Sequence, residues 1–391
     1  MTITVIGLDG GPLPPRAAEA LAGAEVVVGG RRHLAIAPAG AEQIALGPVG
    51  PALRQLAGRR AVVLASGDPG FFGIVRLLRE DGHEPVVMPA VSSVQALFAR
   101  LGRSWDDVAV VSAHGRDLRR AVNVCRARAA TAVLTGPDAG PAEIGAALHG
   151  WPRTLVVAER LGSPQERLTT VRASEAAREW DPLSVVLCLR EPDAVPPRGW
   201  CAGGEPLPPA GGWALPDDAF DHRGGMVTKA EVRAVVLARL APRPGTLVWD
   251  VGAGSGSVGI ECARLGSAVL AVERRADDNA RIAANAAAHD VDVRIVDGAA
   301  PRALVGLPAP DAVFVGGGGL DVLAAAAAAG ADRVVVSLAA LDRIGRARTL
   351  LVDAGYAVDG VQLAASRFAP LPGGAVRLSA TNPITILWGT R

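Results

Sequence analysis

The sequence predicts two α/β units of similar size, and three observations predict them. Short apolar runs alternate with helical patterns in both halves of the 391 residues. Seven prolines and the glycine pairs Gly203-Gly204 and Gly211-Gly212 interrupt that alternation between Pro192 and Pro216. A buried strand end, a glycine turn and a helix start follow one another from Trp249 to Ile260. The division expected is therefore 1–191, a linker at 192–218, and 219–391.

In the first unit the apolar runs are 3–8, 25–28, 61–66, 85–88, 108–112, 131–135, 154–158 and 184–189. Helical patterns such as Val94 to Leu101 separate several of them, which argues for a largely parallel sheet. In the second unit Thr228-Lys229-Ala230-Glu231 reads as a capping box opening a helix over 228–240. Val232, Val235, Val236 and Leu240 give that helix one apolar face. Strands follow at 246–251, 268–272, 292–296, 311–315 and 333–337, with late β-rich segments at 356–364 and 384–388 suggesting an antiparallel end. The alanine run 324–329 reads as a packed helix.

Half of the residues are hydrophobic and 20% are charged, so a sizeable core can form. A net charge of +1 gives no electrostatic argument for nucleic acid or an anionic membrane, and neither is expected as a partner. Lys229 is the only lysine among 40 basic residues, a bias of genome composition before it is a bias of function. Cys125, Cys188, Cys201 and Cys262 show no paired spacing, and three of them lie in or beside apolar segments. This is the usage of a reducing cytoplasm, the location expected. The N-terminus enters a strand without a signal-peptide pattern, no apolar run reaches bilayer length, and no metal-ligand spacing occurs.

The unit Asp250, Gly252, Ala253, Gly254, Ser255, Gly256, with Glu273 at the end of the next apolar run, carries the clearest chemistry. Bare backbone lets a nucleoside lie close, and a carboxylate at the next strand tip accepts from ribose hydroxyls. Asp250 before the turn repels a pyrophosphate and suits a cation, which points to S-adenosyl-L-methionine. In the first unit four small-residue turns end successive strands: Gly7 to Pro12, Ser66 to Gly73, Ala90 to Ser93, and Ser112 to Arg116. A single such turn is only a turn; four on successive strand ends point to a site.

These N-terminal segments, together with Leu134-Thr135-Gly136-Pro137-Asp138 and Glu159 to Arg167, resemble the tetrapyrrole methylase family. The closer likeness is to members acting at C-5 of a corrin precursor. The resemblance implies two α/β lobes with S-adenosylmethionine in the cleft between them. It places Gly7, Gly67, Asp68, Pro69, Ser92, Ser93 and Ala113 at the cofactor. Asp9 and His114 then face the cleft with Gly7, and Arg116 reaches a substrate carboxylate. His114 reads equally well as a hydrogen-bonded loop histidine.

The second unit resembles Rossmann-like class I methyltransferases, and within them those that methylate C-15 and decarboxylate the C-12 acetate of a corrin precursor. The residues carrying this are Gly225 to Arg233, Asp250 to Gly256, Val296 to Pro301, and Asp311 to Gly319. The resemblance implies that Thr228 borders the cofactor, that Glu273 binds ribose, and that Asp297, Gly298 and Ala299 meet the adenine. Gly316, Gly317, Gly318 and Gly319 end a strand where this fold places the methyl acceptor, and residues without side chains would admit a broad macrocycle. Asn285 reads as structural. His222, Arg223 and Lys229 are candidate proton donors or carboxylate clamps, although a basic cluster before a helix is commonly a solvated surface.

The two halves together imply one S-adenosylmethionine site each, a small-molecule tetrapyrrole substrate and a homo-oligomer. Methyl transfer to an electron-rich ring carbon needs positioning more than a protein nucleophile. The residues do not decide between a metal-free and a cobalt-loaded substrate. A non-enzymatic tetrapyrrole carrier would bind the ring without consuming cofactor, and would have no use for the Asp250–Glu273 unit.

Overall fold

The computed structural model describes residues 3–46, 56, 58–192, 201–204, 207, 209 and 211–391. Part of the expected linker, including 193–200, lies outside the described residues. The first lobe holds β1 (Ile3–Leu8), β2 (Val26–Gly29), β3 (Glu42–Ala45), β4 (Ala61–Ser66) and β5 (Val86–Met88), with helices α1 (Pro15–Ala22) and α2 (Ile74–Glu80). Its sheet is parallel throughout, in the order β3-β2-β4-β1-β5. Val5, Val28 and Val63 fill one face and Ile6, Val27 and Leu64 the other, so these strands read as continuous apolar runs.

Helix α3 (Ser93–Leu101) leads into a second lobe of β6 (Ala109–Ser112), α4 (Leu118–Ala127), β7 (Ala130–Leu134), α5 (Pro141–Ala147), β8 (Arg153–Glu159), β9 (Arg167–Arg172) and β10 (Ser184–Arg190). The strand order is β6-β7-β10-β8-β9, and only β6 and β7 pair in parallel. The expectation of a largely parallel sheet therefore holds for the first lobe and fails for the second. The physical reason lies in chain length: 160–166 is too short for the crossover that a parallel β8–β9 pair requires. Strands β3 and β9 escaped the sequence reading because they are polar, exposed edge strands without an apolar run.

The second unit is a seven-stranded sheet in the order β13-β12-β11-β14-β15-β19-β16. Its parallel part comprises β11 (Leu247–Val251), β12 (Ala268–Glu273), β13 (Arg294–Asp297), β14 (Ala312–Val315) and β15 (Arg333–Leu338). Strands β16 (Ala357–Leu363) and β19 (Ile384–Thr390) close it antiparallel, as expected. Between them β17 (Ser366–Pro370) and β18 (Val376–Ala380) form a hairpin whose Phe368, Val376 and Leu378 are exposed. The sheet is flanked by α6 (Ala230–Leu240), α7 (Ser257–Arg264), α8 (Ala276–Ala288), α9 (Leu320–Ala328) and α10 (Leu341–Asp353). Trp249, Leu270 and Val313 fill one face, and Val248, Val269 and Phe314 the other. The expected alanine-run helix is α9, with Ala326 and Ala327 in the core.

Helix α6 corrects the capping box. Thr228 does not cap it; Lys229 occupies the N-cap without a side-chain bond, and Asp217 Oδ1 accepts from the Ala230 amide at 2.9 Å. A carboxylate brought from 13 residues upstream performs the task the local sequence seemed to assign.

The two units dock through α4, the start of β8 and the amino-end edge of the third sheet. Asn123 Nδ2 donates to Gly245 O at 3.1 Å, and Arg119 pairs with Asp311 at 2.7 Å. Arg153 is fully buried, donating to Cys125 O at 2.8 Å, Arg126 O at 2.6 Å and Asp292 at 2.6 Å. Trp151 lies between the guanidinium groups of Arg126 and Arg294, at 4.3 and 4.7 Å. Gly245, Asp292 and Asp311 precede β11, β13 and β14, so the carboxyl-end edge bearing Asp250 and Glu273 faces away from the first unit.

Candidate active site

In the first lobe β1, β4 and β5 end side by side, and the chain leaving each presses on the next. A Cβ on Gly7 would collide with the carbonyl of Gly67 and stand 2.6 Å from the Ala90 amide nitrogen. This contact brings three backbones together around a cleft of about 500 Å³ lined by Gly7, Asp9, Asp68, Ala90, Val91 and Gln95, among others. The volume is that of a small-molecule site. Asp9 Oδ1 accepts from Gly11 N at 2.9 Å and Asp68 Oδ1 from Gly70 N at 2.8 Å, so each carboxylate is fixed by its own turn.

Gly7, Asp9 and Asp68 thus line the cleft, and Gly67 lies against it beside Ser92. Ser92 itself is committed to capping α3, accepting from Gln95 N at 3.2 Å while Gln95 Oε1 accepts from Ser92 N at 2.9 Å. Its side chain is thereby engaged in the cap, and its backbone stands beside Gly67. Ser93 is the exposed first residue of α3, and Pro69 packs on Gly73 inside its loop. On the second lobe Ala113 is buried and donates its amide to Leu134 O at 2.8 Å. His114 is exposed, with Nδ1 3.3 Å from Thr135 O, the arrangement of a loop histidine.

Arg116 reaches from the second lobe to the first, its guanidinium 5.3 Å from the Phe72 ring centroid. Phe72 went unnoticed in the sequence, yet it is a non-glycine residue at φ 55° with its side chain exposed. A non-glycine residue at positive φ is uncommon, and here its exposed ring carries the guanidinium of Arg116. The signal available was the pair Phe71-Phe72 inside a glycine loop that needs no aromatic to turn.

The second cluster lies at the carboxyl ends of β11, β12 and β14. Gly252 stands at φ 72°, and a Cβ there would be 2.9 Å from Gly317 N. That contact constrains Gly252; within the tetraglycine a Cβ on Gly317 would meet nothing, one on Gly316 would stand 3.2 Å from Gly252 O, and Gly318 and Gly319 hold φ of 102° and 95°. Ala253 and Gly254 are partly exposed while Ser255 and Gly256 are buried. Glu273 accepts from Gly254 N at 3.0 Å and from Arg274 N at 2.9 Å, so its carboxylate stands against the glycine turn. Asp297 is exposed and accepts from Asn279 Nδ2 at 3.0 Å; Gly298 N donates to Glu273 O at 3.0 Å, which leaves Ala299 exposed beside that strand end. Asn285 is structural as expected: Nδ2 donates to Asp221 O and Ser255 O at 2.9 Å, and Oδ1 accepts from Asp221 N.

Asp250 is corrected. It is 1% exposed, and its Oδ2 accepts from Gly259 N at 2.8 Å, which secures the start of α7 from beneath the turn. Burial pushes its carboxyl up to about 7, the Gly259 hydrogen bond opposing and the Glu273 charge adding. It is thus no simple counter-charge for a cation. Oδ1 is buried without a partner among the described residues.

Raised in the fold above its ordinary value of 3.8, this carboxyl holds its proton between pH 4 and 7 where the unfolded chain has lost it. Its contribution is therefore full below about pH 4 and lost as pH rises through 7. Asp250→Asn removes that dependence. We expect the variant's melting temperature relative to the parent to rise by about 3 °C or more between pH 5 and pH 8. Differential scanning calorimetry checks this, and a pH-independent difference would refute it.

His222, Arg223 and Lys229 form a loop closed on itself. His222 Nδ1 accepts from Gly225 N at 3.2 Å, Arg223 lies 3.4 Å from Met226 Sδ, and Lys229 Nζ donates to Gly225 O at 3.3 Å. Lys229 also pairs with Asp217 at 3.4 Å, so its charge is already engaged. Asp217 further holds Arg367 at the base of the β17–β18 hairpin. Thr228 gives its carbonyl to Arg233 Nη1 at 2.5 Å.

Among the described residues no group of three or more His, Cys, Asp or Glu could hold a metal ion, and no helix is long and apolar enough to cross a membrane.

Two family models match separate stretches of the chain. The tetrapyrrole (corrin/porphyrin) methylase family model matches 3–177, and the precorrin methyltransferase domain model matches 218–388. A precorrin-6Y C(5,15)-methyltransferase [decarboxylating] of Sinorhizobium is 39% identical over 82% of this chain and 79% of its own length. The cobalt-precorrin-7 C(5)-methyltransferase of Salmonella typhimurium is 36% identical over 47% of this chain and 98% of its own. A probable cobalt-precorrin-6B C(15)-methyltransferase (decarboxylating) of Pyrobaculum calidifontis is 35% identical over 44% of this chain and 93% of its own. One relative thus spans both units, and each of two others spans about half of the chain. With a glycine-lined cleft in one unit and a glycine turn facing a carboxylate in the other, the chain belongs to the precorrin-6Y C(5,15)-methyltransferase (decarboxylating) family.

Proposed function

We propose that this chain methylates a reduced corrin precursor at C-5 through residues 1–191 and at C-15 through residues 219–391, with 192–218 joining them. The second unit also removes carbon dioxide from the C-12 acetate arm. The observation carrying this reading is the coexistence of two separate glycine-built strand-end clusters, one per unit, in a chain whose halves match relatives named for one methylation each.

S-adenosyl-L-methionine is the methyl donor of this family, and two sites per chain belong to the proposal. Both clusters fit it. The space beside Gly254 is open, Glu273 faces the turn, and Gly7 leaves backbone bare at the first cleft. In the second unit Gly252, Ala253, Gly254 and Glu273 would hold the nucleoside, with Asp297 to Ala299 alongside. In the first, Gly7, Asp68 and Ala90 would do so. Bound there, the donor supplies an electrophilic methyl group.

The protein's own contribution is positional. Asp250 holds the turn rigid through Gly259, Asn285 ties Ser255 to Asp221, and Arg233 fixes the loop containing Thr228. Arg116 and Phe72 offer a charged group and an aromatic face across the first cleft for a planar substrate bearing carboxylates. Decarboxylation needs an electron sink, which the ring itself provides. With Lys229 paired to Asp217, His222 and Arg223 remain the candidate proton donors or clamps in that loop.

The relatives spanning both units are named for precorrin without cobalt, which favours a metal-free substrate. The reading extends to a homo-oligomer, supported by the exposed apolar hairpin; light scattering reporting a monomer removes that part. Mass spectrometry of a metal-free precorrin incubated with the protein and S-adenosylmethionine tests the whole. Two methyl groups gained with one carbon dioxide lost is the expected result. Turnover of the cobalt-loaded compound alone moves the protein to the other substrate, and no turnover of either overturns the reading.

A further inference from the structure

The segment Gly29-Gly30-Arg31-Arg32-His33 leaves the carboxyl end of β2, one strand beyond β4 in the first sheet. The cleft is lined by residues that follow β1, β4 and β5, so this segment continues the same edge. Arg32 Nη2 donates to Ser66 Oγ at 2.6 Å, and Ser66 is the last residue of β4, directly before Gly67. Arg32 Nε donates to His33 Nε2 at 3.0 Å.

Both partners of this guanidinium are neutral. His33 is held below its ordinary titration range by burial, and further by the Arg32 charge, so it stays an acceptor at neutral pH. Among the described residues Arg32 has no carboxylate within ion-pair distance; Asp181, whose charge reaches it from the second lobe, pairs with Arg160. Desolvation lowers the pKa of Arg32, and the charge of Asp181 acts in the opposite direction.

We propose that Arg32, aimed by Ser66 and His33, is a binding residue for a ligand carboxylate at the edge of the first cleft. A guanidinium whose orientation is fixed by two neutral acceptors keeps its remaining N–H groups free for a carboxylate fork. This deepens the methyltransferase reading and rests on it. Two ligands there would bring carboxylates: the acetate and propionate arms of a corrin precursor, and the methionyl end of the cofactor. The cofactor-sized cleft is lined from β1, β4 and β5, while Arg32 stands outside it beyond β4, which favours the precursor.

The test uses the full chain with Arg32→Met and Arg32→Lys, after the parent has been shown to methylate precorrin. Absence of turnover by the parent would sink the functional reading, not the carboxylate site. With an active parent, we expect Arg32→Met to raise the KM for precorrin in C-5 methylation by about tenfold or more, with partial recovery in Arg32→Lys. Titration with S-adenosylhomocysteine assigns the source. Unchanged affinity at both sites means that the carboxylate is the substrate's, and weakening at one site means that it is the cofactor's. Ser66→Ala, which keeps the charge but loosens its aim, should raise the same constant by a smaller factor. Unchanged KM and unchanged affinity in Arg32→Met, with circular dichroism as in the parent, would overturn the proposal.

Discussion

Gly7→Val and Gly252→Val are expected to separate the two reactions, each lowering the rate of its own half by about a hundredfold or more. At Gly7 a side chain meets the Gly67 carbonyl and the Ala90 amide, so the three loops that build the first cleft cannot close. At Gly252 it meets Gly317 N at 2.9 Å in a backbone at φ 72°, which displaces the turn facing Glu273. Displacements near 1 Å at a positioning site are enough for losses of that order. The Gly7 variant should still release carbon dioxide and lack the C-5 methyl group, whereas the Gly252 variant should release none. Calorimetric titration with S-adenosylhomocysteine should fall from two sites to one in each, and the far-ultraviolet spectrum should stay that of the parent. Loss of both binding sites in either variant, or of neither, would show that the halves are not two independent centres.

Glu261→Ala should destabilise the second unit by about 3–5 kcal/mol, the scale for breaking a buried ion pair. Arg233 and Glu261 are both wholly buried, 2.5 Å apart, and the carboxylate also accepts from Ala214 N at 2.6 Å and Leu215 N at 3.0 Å. The guanidinium donates to Leu215 O and Thr228 O and lies 4.7 Å from the Phe220 ring centroid. Removing the carboxylate leaves a buried charge and two amides unsatisfied, and it frees the chain that enters the unit from the linker. Urea unfolding should show the loss in the second unit's transition. Cofactor affinity at that unit should weaken as well, because the loop with Thr228 hangs from Arg233. A change below about 1 kcal/mol, the range of exposed pairs, would contradict this account.

Neither residue of that pair was visible in the sequence as a pair. Arg233 and Glu261 are 28 positions apart on two helices, and each alone reads as an ordinary solvated charge. The same holds for Arg153 and Asp292, which meet across the two units. Asp217 took the cap that Thr228 appeared to supply, and it did so from a segment whose local pattern says nothing of a helix. Asp250 shows the converse. Its position in the motif was legible, but its burial and its bond to Gly259 were not, and these turn an apparent counter-charge into a support.

What the sequence determined alone were those features whose cause is local. Apolar runs located the strands of the buried sheets, because a strand covered on both faces must be apolar throughout. Glycines at strand ends located both cradles, because close backbone approach admits no side chain. The tertiary structure alone decided what depends on which elements meet. It set the antiparallel order of the second lobe, the buried pairs, the amino-end docking of the third sheet, and the company kept by Arg32. Local steric rules are written into neighbouring residues, whereas burial and charge pairing belong to residues that only folding brings together.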